Sequence, residues 1–139
     1  MPKRRHLSRI AVMQVLFECE ARGREKDDEM LTRSIAELGG EEAVDVSFAQ
    51  TLLLGSRDQF QQTIDSLKQY APQWPLERMD PVSRAILMMS VYELLFANDA
   101  PPPVVMNEAI DIAKEYGNAE SGKFVNGVLN AIAHGRKTD

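Results

Sequence analysis

The amino-acid sequence predicts an all-α protein, a bundle of six or seven helices. Apolar residues recur three or four positions apart over long segments, as on the buried face of a helix. Glycine and proline separate these segments, and no run shows the strict alternation of a half-buried strand. A chain of 139 residues fits one domain, so we expect residues 1–139 to form a single domain with a sizeable core.

The first half of the chain predicts two helices followed by a longer helical segment. The first helix should run from about residue 7 to residue 22, with Gly23 as its stop, and the second from about residue 28 to residue 38. The third segment begins near Glu42 and carries Phe48 among its apolar positions. Gly55 lies in its middle, so this segment is either one helix or two helices joined at a bend.

The second half opens with the clearest helix start in the chain. Asp80 is an acidic N-cap residue, and Pro81 follows it at the first helical position, where proline is favoured. The helix predicted over residues 82–97 is apolar on nearly all sides, so it should be the central and most buried element.

Two further helices complete the predicted bundle. The three prolines at 101–103 form a stiff connector to a helix over about residues 104–116. Ser121 is the predicted cap of the last helix, which should end near Gly135.

Composition excludes several classes of protein. With Cys19 as the single cysteine and only two histidines, the chain cannot form an internal disulfide and makes a poor metal site. No phosphate-binding loop or nucleophile motif occurs, so we expect neither enzymatic activity nor a cofactor. The longest apolar stretch, residues 85–97, is interrupted by polar residues and is too short to span a membrane. We therefore expect a cytoplasmic protein.

The distribution of charge points to a polyanion in spite of the net charge of −5. Four cations, Lys3, Arg4, Arg5 and Arg9, lie at or just before the start of the first helix. Aligned peptide dipoles already make that end positive, so each exposed cation there costs about 0.3–1 kcal/mol. A bound phosphate would reverse the sign of this interaction. A solvated basic tail is an equally good interpretation of these residues alone.

The last helix offers a second candidate for nucleic-acid binding. Lys123 and Phe124 fall near its opening, where a cation beside an aromatic ring suits phosphate contact and base stacking. Asn126 could read a base edge. Phe124 also has core spacing with Val128 and Ile132, and that spacing by itself favours core packing.

A polar strip accompanies the central helix, formed by Glu77, Asp80, Arg84 and Glu93. Because Glu93 stands in a nearly all-apolar segment, its charge must be paired or must face a partner. An internal salt bridge or an ordinary exposed edge is at least as good an interpretation.

The order of these segments resembles the NusB family of bacterial transcription antitermination factors over essentially the full chain. The resemblance is carried by RIAVMQVLFE, the W-x-x-x-R pattern at 74–78, ILMMSVYELL, NEAIDIAKEYG and SGKFVNGVL. It implies two helical subdomains packed across one another and a non-catalytic adaptor. Such an adaptor would bind the boxA element of nascent RNA together with NusE, a small-subunit ribosomal protein, at the RNA polymerase elongation complex with other Nus factors.

Carried over by position, the resemblance implies two surfaces. The RNA face would comprise Lys3, Arg4, Arg5, Arg9, Gln14, Phe17, Glu120, Lys123, Phe124 and Asn126. The NusE face would comprise Glu77, Asp80, Arg84 and, less securely, Glu93. Phe17 stands where the family often has tyrosine, so a hydroxyl group is missing there.

Two alternatives stay open. One is a helical module that binds only proteins, or a homodimer whose interface hides the RNA face. The other is a regulatory partner of an RNA-modifying enzyme, because the same unit resembles the N-terminal domain of certain ribosomal RNA cytosine methyltransferases.

Overall fold

The computed structural model describes residues 2–22 and 27–138, which are helical throughout except for short connectors. No strand occurs in these ranges, which confirms the all-α prediction. The elements are α1 (Pro2–Arg22), α2 (Asp27–Glu37), α3 (Val46–Asp58), α4 (Phe60–Tyr70), a 3₁₀ turn (Leu76–Arg78), α5 (Pro81–Tyr92), a π-helical turn (Glu93–Ala97), α6 (Pro102–Tyr116) and α7 (Ala119–Thr138). None of the described helices is both long and apolar enough to cross a membrane.

Backbone contacts divide the chain into two compact units, residues 1–54 and residues 55–139, with the boundary inside α3. In the first unit α1 packs against α2. The buried apolar residues of α1 are consecutive from Ile10 to Met13, with Val15 beyond them, so the middle of this helix is buried on nearly all sides. In the second unit α5 packs against α4, α6 and α7.

Helix α1 begins five residues earlier than the predicted start, at Pro2. The basic residues therefore lie within its first turns and not ahead of them. Gly23, the predicted stop, lies outside the described residues.

Helix α3 begins at Val46, later than the predicted start at Glu42, because Asp45 is its N-cap. Oδ1 of Asp45 accepts a hydrogen bond from the backbone N–H of Phe48 at 3.1 Å. The predicted segment is two helices, but the break falls at Gln59 and not at Gly55. Gly55 stays helical, and its missing side chain leaves space for the Tyr92 ring.

The prediction for α5 is confirmed at its start and in its burial. Oδ2 of Asp80 accepts from the backbone N–H of Ser83 at 3.1 Å, and Pro81 stands at the first helical position. Every residue from 85 to 91 is buried. The α-helix ends at Tyr92, and the chain continues through the π-helical turn to Asn98, which has a positive φ of 53°.

Helix α7 begins at Ala119 because two side chains cap it reciprocally. Oδ1 of Asn118 accepts from the backbone N–H of Ser121 at 3.0 Å, and the Asn118 N–H donates to Oγ of Ser121 at 3.2 Å. Asn118 is therefore the cap, and Ser121 is the third helical residue. The predicted cap at Ser121 was wrong by three positions.

Candidate nucleic-acid interface

The opening of α1 carries three cations and no acidic side chain in its first turn. Lys3 and Arg4 are exposed, and Arg5 is half-buried. The unpaired backbone N–H groups of a helix start add to this positive charge. An anion arriving at this end would meet cationic side chains and helix dipole together.

This opening is tied to the start of α3 by hydrogen bonds. Nη2 of Arg4 donates to the carbonyl oxygen of Val44 at 2.9 Å. Oγ of Ser8 donates to the carbonyl oxygen of Arg4 at 2.7 Å and accepts from the backbone N–H of Asp45 at 2.8 Å. Ser8 is fully buried, so its hydrogen bonds are shielded from water and hold the first turns of α1 against the segment that opens α3.

Two arginines of α1 share one aromatic ring. The guanidinium carbon of Arg5 lies 4.3 Å from the centroid of the Phe48 ring, and that of Arg9 lies 5.0 Å from it. Nε of Arg5 is also 3.8 Å from Oδ2 of Asp45. Arg9 is only 3% exposed, which corrects its expected place on the surface. We therefore drop Arg9 as a direct RNA contact.

The remaining candidates on α1 lie further along the helix. Gln14 is half-buried, and its Oε1 accepts a hydrogen bond from Oγ of Ser34 on α2 at 3.0 Å. Phe17 is 41% exposed, so much of its ring is open to solvent and available for stacking.

The opening of α7 presents three of the predicted residues to solvent. Nζ of Lys123 lies 3.8 Å from Oε1 of Glu120, one turn earlier, and both side chains are largely exposed. Oδ1 of Asn126 accepts from Nδ2 of Asn130 at 3.1 Å on the same exposed face. That these residues share one RNA face with the α1 cations stays a prediction.

Phe124 is half-buried, unlike Val128 and Ile132, which are fully buried. Its ring stands against Trp74. A Cβ at Gly127 would approach the Trp74 indole to 3.1 Å, so the glycine allows this close contact. Neither the core interpretation nor the exposed one describes Phe124 fully, because part of its ring packs and part faces solvent.

The polar strip beside α5 is only partly a surface. Glu77 and Asp80 are exposed, whereas the Arg84 guanidinium donates to the backbone carbonyls of Met79 and, at 3.5 Å, Leu76. Glu93 is 1% exposed, so it lies neither on the partner face nor at an ordinary exposed edge, and the internal position is the interpretation that its burial fits. Glu93 begins the π-helical turn that follows α5, and this turn is buried at Glu93 and Leu94.

Sequence reasoning missed Asp45, Phe48 and Ser8. An aspartate just before an apolar helical segment is a recognisable N-cap, so Asp45 could have been found. Phe48 was predicted only as an apolar position of the third segment. Its contact with two arginines about 40 residues earlier has no local signal.

Comparison with known proteins gives concordant results. The sequence model of the NusB family matches residues 6–134. The transcription antitermination protein NusB of Desulfitobacterium hafniense is 39% identical over 131 residues, which cover 92% of this chain and 86% of that protein.

Solved structures agree with the sequence comparison. NusB of T. maritima is 36% identical and has a TM-score of 0.79, covering 96% of this chain and 93% of that one. A crystal structure of the antitermination factors NusB and NusE in complex with dsRNA has a TM-score of 0.81 at 26% identity, covering 95% of this chain and 97% of that one.

Proposed function

Because this chain belongs to the NusB family, we propose that it is a non-catalytic adaptor of transcription antitermination that binds boxA RNA together with NusE. It acts in the cytoplasm, at the elongating RNA polymerase with other Nus factors, and needs no cofactor. The observation that carries the RNA-binding role is the ordered cluster of cations at the opening of α1. A solved relative that holds NusE and dsRNA supports both partners.

Phosphate contact supplies most of the affinity. Lys3, Arg4 and Arg5 meet the RNA backbone at a helix end that is already positive, and binding releases counterions. Base recognition comes from Phe17 and Phe124, whose partly exposed rings stack on unpaired bases. Asn126, exposed one turn beyond Lys123, reads a base edge.

The NusE face uses the exposed carboxylates of Glu77 and Asp80. Arg84 supports this face by holding the backbone of the 3₁₀ turn. When RNA and NusE bind side by side, each raises the effective concentration of the other, so neither contact has to be tight alone.

The test is a titration of labelled boxA RNA with this protein, alone and with saturating NusE. We expect tighter binding with NusE, and weaker binding of a scrambled RNA of equal length and composition. Sedimentation of the protein alone and with RNA measures whether it forms a homodimer and whether RNA dissociates that dimer. A chain that binds NusE but no RNA, or a homodimer that RNA does not dissociate, would instead favour a protein-binding module.

A further inference from the structure

The ring of Phe48 receives two guanidinium groups from α1 that differ sharply in exposure. Arg5, at 4.3 Å from the ring centroid, is half-buried with a side chain 41% exposed, whereas Arg9, at 5.0 Å, is 3% exposed. A guanidinium over an aromatic face is attracted by the ring quadrupole and stacks well because it is planar. The Phe48 ring therefore contacts both a buried arginine, Arg9, and a partly exposed one, Arg5.

We infer that Phe48 and Arg9 form a platform that orients Arg5 toward RNA phosphate before the RNA arrives. Phe48 is thus a positioning residue of the RNA site, although it is no part of the predicted RNA face. The inference rests on the proposed function, since it assigns a role within that same site.

The platform is itself fixed in place. Phe48 stands in the first turn of α3, where its backbone N–H donates to the Asp45 cap. The Asp45 N–H in turn donates to buried Ser8, one turn from Arg5 on α1. Ring and guanidinium therefore belong to two helix openings that are hydrogen-bonded to each other.

A held arginine binds phosphate better than a mobile one. Ordering a long side chain at an interface costs conformational entropy, and a side chain that is already ordered avoids this loss. Arg9 packs against the same ring, 5.0 Å from its centroid, and so helps to hold the plane on which Arg5 lies. Asp45 restrains Arg5 only weakly, at 3.8 Å between side chains 41% and 37% exposed, so an arriving phosphate can replace it.

The decisive variant is Phe48→Leu, which keeps an apolar side chain and removes the aromatic face. We expect boxA RNA to bind about threefold to tenfold more weakly, the equivalent of one newly mobile arginine. The slope of log K against log salt should stay unchanged, because the phosphate contacts still form. Phe48→Tyr should restore wild-type affinity, and Phe60→Leu, at a ring 46% exposed on α4, is the matched control.

The variant Arg5→Ala distinguishes a failure of the positioning role of Phe48 from a failure of the proposed RNA binding. This variant should lose affinity and also lower the salt slope by about 0.7, the value for one phosphate contact on a single strand. If Arg5→Ala weakens binding while Phe48→Leu matches wild type, the platform is refuted and the RNA-binding role stands. If wild type binds no RNA even with NusE, the proposed function fails.

A measurement on the unaltered protein covers the case in which Phe48→Leu does not fold. The heteronuclear NOE of the Arg5 Nε–H group should approach backbone values in the free protein. A value typical of a freely rotating side chain would overturn the inference, whatever the variant does.

Discussion

The ring of Phe124 meets the indole of Trp74 edge-on, with centroids 6.5 Å apart and planes inclined by 75°. Such an arrangement is favourable between aromatic rings because the positive edge of one faces the negative face of the other. It fixes the plane of the Phe124 ring on α7 and leaves the ring half-buried. A ring that is held on one side and partly open on the other is suited to stack on a base.

Phe124→Ala should weaken binding of boxA RNA by about fivefold or more, since stacking on one base contributes about 1–3 kcal/mol. The loss should be larger for boxA than for the scrambled RNA, because phosphate contacts are unaffected. Titrations of both RNAs give the ratio, and urea unfolding gives the stability. Equal losses for the two RNAs together with a lower free energy of unfolding would assign Phe124 to packing alone.

Glu120→Gln should strengthen RNA binding by about twofold to threefold at low salt, because a carboxylate is removed beside Lys123. The gain should shrink as salt screens the exposed charges. Titration of boxA RNA at two salt concentrations measures the gain. The control is Asp111→Asn, which removes another exposed carboxylate, on α6. A gain of the same size in the control would mean that only the net charge matters.

Gly55→Ala should destabilise the protein by about 1–3 kcal/mol, because the new Cβ would collide with the Tyr92 ring. Helix propensity alone predicts the opposite sign, a gain of about 1 kcal/mol. Gly122→Ala is the matched control, since its Cβ would meet only the flexible Lys114 side chain, at 3.1 Å. Urea unfolding of the two variants decides between packing and propensity.

Asp80 has a structural role and a proposed partner role, which two variants can separate. Asp80→Ala should cost about 1 kcal/mol of stability by removing the cap on Ser83. Asp80→Asn keeps a capping side chain and removes the charge, so we expect wild-type stability and slower association with NusE. Calorimetry measures the stability of each variant, and binding to immobilised NusE measures its association rate. An unchanged association rate for Asp80→Asn would remove Asp80 from the partner face.

Features that depend on neighbouring residues could be predicted from the sequence. The pair Asp80-Pro81 marked the start of α5, and the unbroken apolar character of the following segment predicted its central burial. The cap at Asn118 was within reach, because both members of its reciprocal pair lie within four residues.

Features that depend on packing could not be predicted in this way. Gly55 suggested a bend, but its lack of a side chain serves the approach of Tyr92, 37 residues later. Arg9 has the residue type of a surface cation, yet it is buried against Phe48. The type of a residue does not indicate which distant side chain will cover it. Only the structure therefore shows that Arg9 is buried while Arg5 is partly exposed.

The salt dependence of boxA binding tests most directly whether the α1 opening contacts RNA phosphate. With NusE present, log K should fall linearly with log salt, by about 0.7 for each phosphate contacted on a single strand. The double variant Arg4→Ala/Arg5→Ala should bind all RNAs more weakly and lower that slope by about 1.4, the equivalent of two contacts. A folded double variant with the wild-type slope, or a wild type indifferent to salt, would contradict the account.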